Sequence, residues 1–130
     1  MHGTPISTIT RLNSTAKDLF IYLYDLSPLD ADLFFMLMKS KKPLILEDLA
    51  KKINRDKSNV FRSAQKLVSS GICIKETRTI KDGGYYHLYS AVDTKTFKME
   101  TEKRVKDLQA SFERILRKFE EDIHNMVSSF

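Results

Sequence analysis

With 130 residues, 42% of them hydrophobic and 30% charged, the chain is long enough for one domain with a real core, and none of its apolar runs nears the ~20 residues that cross a bilayer. The start Met1-His2-Gly3-Thr4-Pro5 lacks the basic and apolar parts of a signal peptide, and a lone Cys73 excludes an internal disulfide framework, so a cytoplasmic, nucleoid-associated protein is expected. The net charge of +5 is unevenly spread: Lys and Arg number five against six Asp and Glu in residues 1–50, nine against three in 51–92, and eight against eight in 93–130. A basic segment between neutral flanks is what a binder of polyanions carries.

In chain order, residues 1–13 are rich in Gly, Pro, Ser and Thr and predict a flexible tail. A helix is expected over 15–25, with Ser14 as candidate N-cap and Leu19, Leu23 and Leu26 recurring at helical steps. Ser27-Pro28-Leu29-Asp30 then reads as a capping box with proline at the first helical position. The helix it opens runs over 28–39, with Leu29, Leu33, Phe34, Leu37 and Met38 as its apolar face, and stops ahead of Pro43. Leu46, Leu49, Ala50 and Ile53 mark a short amphipathic helix, and Asn54-Arg55 supplies a turn. Asp56 caps a further helix that runs to Ser69 and is closed by Gly71.

The period then changes. Residues 72–78 and 85–92 are β-branched and aromatic, and Lys81-Asp82-Gly83-Gly84 between them carries the Asp-Gly hairpin signal. From 96 to 129 the helical period returns in Val105, Leu108, Phe112, Leu116, Phe119, Ile123, Met126 and Phe130, a heptad-like seam with one stutter. One unbroken helix of that span would be roughly 50 Å long, more than so small a body can cover.

This order predicts an α+β, mostly helical fold: a winged helix-turn-helix with a long C-terminal dimerisation helix. The expected organisation is a tail at 1–13, a winged-helix body at 14–92 and a coiled-coil helix at 93–130. With Val60, Ala64, Leu67 and Val68 of the third body helix facing the core, the outer face holds Ser58, Asn59, Arg62, Lys66 and Ser69, with Gln65 at its edge. No Asp or Glu occurs between Lys57 and Ser69, as suits a face that would meet phosphate. Arg62 has the fork for guanine, and Asn59 or Gln65 the amide for adenine. Lys57, Ser58 and Lys66 suit backbone phosphates, and Arg78 and Lys81 of the hairpin suit an adjacent minor groove or phosphate.

The stretches Leu46-Glu47-Asp48-Leu49-Ala50, Asp56-Lys57-Ser58-Asn59-Val60-Phe61-Arg62, Gly71-Ile72 and Tyr85-Tyr86-His87-Leu88-Tyr89-Ser90-Ala91, with Leu67, resemble small archaeal winged-helix transcription regulators. The nearest are the TrmB-like and Lrs-type groups, related to MarR. The resemblance implies a homodimer on promoter DNA, recognition positions at Ser58, Asn59 and Arg62, and a wing at 75–86. Larger TrmB-type regulators carry a sugar-binding domain after the wing. Only about 38 residues follow it here, so sugar sensing through such a domain is not expected.

Catalysis and metal binding find little support. Gly3, Gly71, Gly83 and Gly84 build no phosphate loop, and His2, His87 and His124 stand at no ligand spacing to Cys73. No cofactor is expected. The reading is therefore a non-enzymatic, homodimeric, sequence-specific regulator that binds double-stranded DNA. Its rivals are an architectural chromatin protein that coats DNA and a winged-helix adaptor that binds only protein.

Overall fold

The computed structural model describes residues 15–130; the tail at 1–13 and the candidate cap Ser14 lie outside the described residues. Helix α1 (Ala16–Tyr24) is capped by Thr15, whose hydroxyl accepts from the Asp18 N–H while the Asp18 carboxylate accepts from the Thr15 N–H. The capping box expected at Ser27 is formed in both halves and opens α2 (Pro28–Lys39). Leu33, Phe34 and Leu37 of its apolar face are buried, but Met38 is exposed and Leu29 only half-buried. Ala31 and, less expectedly, Asp30 occupy the inner positions instead.

Helices α3 (Leu46–Ile53) and α4 (Lys57–Ser69) have the bounds that the spacing predicts. Asn54 turns the chain between them in the left-handed region at φ 55°, and the Asp56 carboxylate caps α4 by accepting from the Ser58 N–H at 3.1 Å. Strands β1 (Cys73–Thr79) and β2 (Tyr85–Ala91) pair antiparallel, Cys73 opposite Ala91 and Thr79 opposite Tyr85. At the tip the Gly83 N–H donates to the Ile80 carbonyl, and Gly83 and Gly84 sit at φ 96° and 85°. That is a turn closed by residues needing positive φ, longer than a two-residue Asp-Gly hairpin.

One pairing has no counterpart in the sequence pattern. Leu44, buried just after Pro43, exchanges both backbone hydrogen bonds with Tyr89 at 2.9 and 2.8 Å. It acts as a one-residue third strand that pins the α2–α3 connection to the wing. The core lies beneath it, where Phe34, Leu33, Leu49, Val60, Leu67, Ile72 and Tyr89 are fully enclosed. Each such apolar side chain contributes about 1.5–3 kcal/mol by leaving water.

The C-terminal seam departs from expectation. It is two helices, α5 (Thr94–Arg117) and α6 (Phe119–Ser128), broken at Lys118. The Lys118 N–H bonds back to the Ile115 carbonyl in a tightened, three-residue step. Charge explains the place: Arg114 and Arg117 sit in the last turn of α5, and Glu120, Glu121 and Asp122 in the first turn of α6. Cations suit a helix C-terminus and anions an N-terminus, so this sequence favours an end and a fresh start there.

The opening turns of α5 are also part of the body rather than a free coil. Phe97 packs among Phe20, Tyr24 and Phe34, with ring centroids 4.9–6.2 Å apart. The Tyr24 hydroxyl and Thr101 Oγ1 are 2.9 Å apart.

Candidate nucleic-acid interface

Helix α4 is held by one apolar face and offers the other to solvent. Val60, Ala64 and Leu67 are buried, while Ser58, Asn59, Arg62, Gln65 and Ser69 are exposed along the outer side. The acid-free run from Lys57 to Ser69 thus forms one accessible, cationic and amide-rich strip. Asn59 Oδ1 accepts from the Arg62 guanidinium one helical turn on. The pair is oriented together, which lowers the side-chain entropy that a base contact would cost.

The remaining expected contacts are placed less uniformly. Lys57 is exposed beside the start of α4 and reaches Glu47 of α3 at 3.3 Å. Lys81 stands exposed at the wing tip with no ion pair among the described residues. Arg78, near the tip end of β1, is held by Glu76 of the same strand at 2.7 Å from Nε. That carboxylate competes with phosphate for it, and the pair is exposed enough to exchange.

Lys66 is the correction. Its ammonium turns toward the protein, 3.3 Å from Asp30 Oδ2, and donates to the Asp25 carbonyl. The reason is Asp30, buried at the start of α2, whose charge needs partners. Asp30 has them: the Ser27 N–H at 2.9 Å, the Ser63 hydroxyl at 2.5 Å, and Lys66. Burial alone would push the Asp30 carboxyl up, but those hydrogen bonds and the Lys66 charge outweigh it and hold the group below its ordinary value. The polar bridge fixes α4 against α2. Its trace in the sequence was Ser63, a hydroxyl one turn after Val60 on the inner face of α4.

Arg55 was missed. It lies exposed in the α3–α4 turn, its guanidinium donating to the Asn54 carbonyl. It adds a cation beside the α4 N-terminus, where backbone N–H groups already favour anions. Cys73 is buried at the start of β1, and burial pushes its thiol up to about 12, which leaves it inert as a nucleophile at neutral pH.

Of the expected dimer positions, Val105 and Leu108 are half-buried, while Phe112, Leu116, Phe119, Ile123, Met126 and Phe130 are exposed. Neither α5 nor α6 has a fully buried residue. An apolar groove of about 500 Å³ also opens between α1, α2 and α5, lined by Leu19, Phe20, Phe35 and Phe97. Among the described residues no group of His, Cys, Asp and Glu could hold a metal ion, and no helix is long and apolar enough to cross a membrane.

Two helices joined by a tight turn, a paired β-ribbon with a third-strand bridge, and a solvent-facing second helix define a winged helix-turn-helix protein. The family model described as "Sugar-specific transcriptional regulator TrmB" matches residues 23–95, and the chain belongs to this TrmB family of transcription regulators. An uncharacterized protein of Methanocaldococcus jannaschii is 30% identical over 109 residues, covering 84% of this chain and 79% of that protein.

Two archaeal structures share the fold. One, from Methanosarcina mazei Go1 and titled a possible transcriptional regulator, superposes with a TM-score of 0.73 at 18% identity, covering 85% of this chain and 95% of the other. The other, a protein of the thermoacidophile Sulfolobus tokodaii, gives 0.59 at 21% identity over 73% of this chain and 92% of its own.

Proposed function

We propose that this TrmB-family chain is a homodimeric regulator that reads double-stranded DNA by laying α4 in the major groove. The observation that carries the reading is the exposed, acid-free strip of Ser58, Asn59, Arg62 and Gln65 on a helix whose opposite face is locked into the core. Arg62 and Asn59 address base edges. Lys57, Ser58 and Arg55 hold phosphate at the α4 N-terminus, and Lys81, with Arg78 once released from Glu76, meets the backbone or minor groove from the wing. The exposed apolar seam on α5 and α6 joins two copies, so that two reading helices address one site. The protein works by occupancy of DNA in the cytoplasm, without catalysis.

The test is a salt series with the full chain on its own upstream DNA and on random duplex. Sequence-specific regulation gives a large affinity ratio between the two; an architectural coat gives near-equal affinities with a steep salt slope. No binding to either duplex would leave an adaptor. Arg62→Ala should cost about 1–3 kcal/mol on the preferred sequence and much less on random duplex. An equal loss on both would make Arg62 a phosphate contact.

A further inference from the structure

Apolar positions along the seam mirror one another about one residue, Leu116 excepted, whose mirror position is Asp122. Counting from Phe119, apolar side chains recur at four, seven and eleven residues on both sides: Ile115 and Ile123, Phe112 and Met126, Leu108 and Phe130. On an α-helix these steps keep each half within one narrow face. The break at Lys118 adjoins the centre, so the first half belongs to α5 and the second to α6 and its end. Charge breaks the symmetry in the complementary sense. Residues 108–118 hold Arg114, Arg117 and Lys118 against the single acid Glu113, whereas 120–130 hold Glu120, Glu121 and Asp122 with no Lys or Arg.

We propose that a second copy of this chain covers the seam in antiparallel orientation, with the two-fold axis passing at Phe119, so that α5 of each copy lies along α6 of the other. The proposal rests on the homodimer reading above and adds its direction and register. In this arrangement Phe119 packs on its own copy, Phe112 meets Met126 of the partner subunit, and Ile115 meets the partner's Ile123. The basic end of each α5 lies beside the acidic start of the opposite α6.

A parallel pair would bury the same apolar faces but set basic block beside basic block and acidic beside acidic, a cost that only the antiparallel pair avoids. An isologous contact requires just this self-complementarity. Arg104, the last α5 side chain hydrogen-bonded to the body among the described residues, is about 20 Å of helix from the break. The two bodies therefore leave the pair at opposite ends, on the order of 40 Å apart.

Disulfide trapping reads the direction. Full-length Phe112→Cys and Met126→Cys chains are oxidised separately and as an equimolar mixture, with the unchanged chain as control, since its single Cys73 is buried. The antiparallel register predicts covalent dimer in the mixture and none in any sample alone. Dimer from Phe112→Cys by itself would show a parallel pair and overturn the proposal while leaving the homodimer intact. Sedimentation of the unchanged chain as a monomer would overturn both. A Phe112→Ser chain, in which no crosslink is asked for, should sediment as monomer at concentrations where the unchanged chain is dimeric; a dimer as tight as before would remove Phe112 from the seam and the register with it.

Discussion

Asp30 shows how one carboxylate serves two jobs. One oxygen closes the capping box of α2, and the other receives the Ser63 hydroxyl from α4, with Lys66 supplying the balancing charge. Removing it would leave Ser63 and the Ser27 N–H without a partner and Lys66 without a counter-charge. Asp30→Ala should therefore destabilise the protein by about 2–4 kcal/mol at pH 7 in urea unfolding, toward the upper end for a buried pair because a cap is lost too. The pH dependence has a definite sign. A carboxyl held below its ordinary 3.8 when folded contributes stability above that value and loses it as pH falls through the lower, folded-state value. The gap between parent and Asp30→Ala should be widest near neutrality and shrink below pH 3.8. A gap that stays constant down to pH 3 would show that Asp30 acts through shape rather than charge.

At the scale of the elements, Arg104 is the tie between the long helix and the reading head. Its guanidinium donates to the Ser70 carbonyl at the end of α4 at 2.9 Å, to the Leu23 carbonyl at the end of α1 at 3.4 Å, and to Glu100 at 3.1 Å. It also lies 4.1 Å from the centre of the Tyr24 ring. One planar cation thus satisfies carbonyls at two helix C-termini, where positive charge is favoured. Lys cannot reproduce that fork. Arg104→Lys should accordingly lose nearly as much stability as Arg104→Ala, about 1–3 kcal/mol each by thermal or urea unfolding. Near-parental stability in the Lys variant would reduce the contact to simple charge.

The elements also show what the sequence made legible. The helices over 28–39 and 57–69 were readable because caps, punctuation and apolar period agree, that over 46–53 by its apolar period and the Asn54 turn, and the hairpin by its turn residues; the exposed strip of α4 follows from the helical period alone. Leu44 escaped because a one-residue bridge has no period. The break at Lys118 escaped because the apolar steps run on through it and only the switch from basic to acidic residues marks it. Lys66 turns inward, against expectation, because an outward position on a helical wheel does not show that a four-carbon stem can fold back to a buried acid on another helix. The role of Arg104 was invisible for a related reason: the partners it unites are carbonyls of Leu23 and Ser70, backbone groups that every residue carries.

For the molecule as a whole, the body and the seam are separable because, among the described residues, the hydrogen bonds that hold α5 to the body end at Arg104. A chain ending at Val105 retains Phe97, Thr101 and Arg104 and should keep a cooperative unfolding transition, yet it lacks every exposed seam residue from Phe112 onward. Sedimentation should find it monomeric. Its DNA binding should then change in two linked ways. Losing the second reading head removes the effective concentration that linkage provides, so affinity for the preferred site should fall by about 10²–10⁴. The number of phosphates neutralised should halve, and with it the slope of log affinity against log salt. Weaker binding with an unchanged slope would place all phosphate contacts on one copy and make the second a scaffold. A truncated chain that still sediments as a dimer would move the contact between copies to the body, where the apolar groove lined by Leu19, Phe35 and Phe97 is one candidate surface.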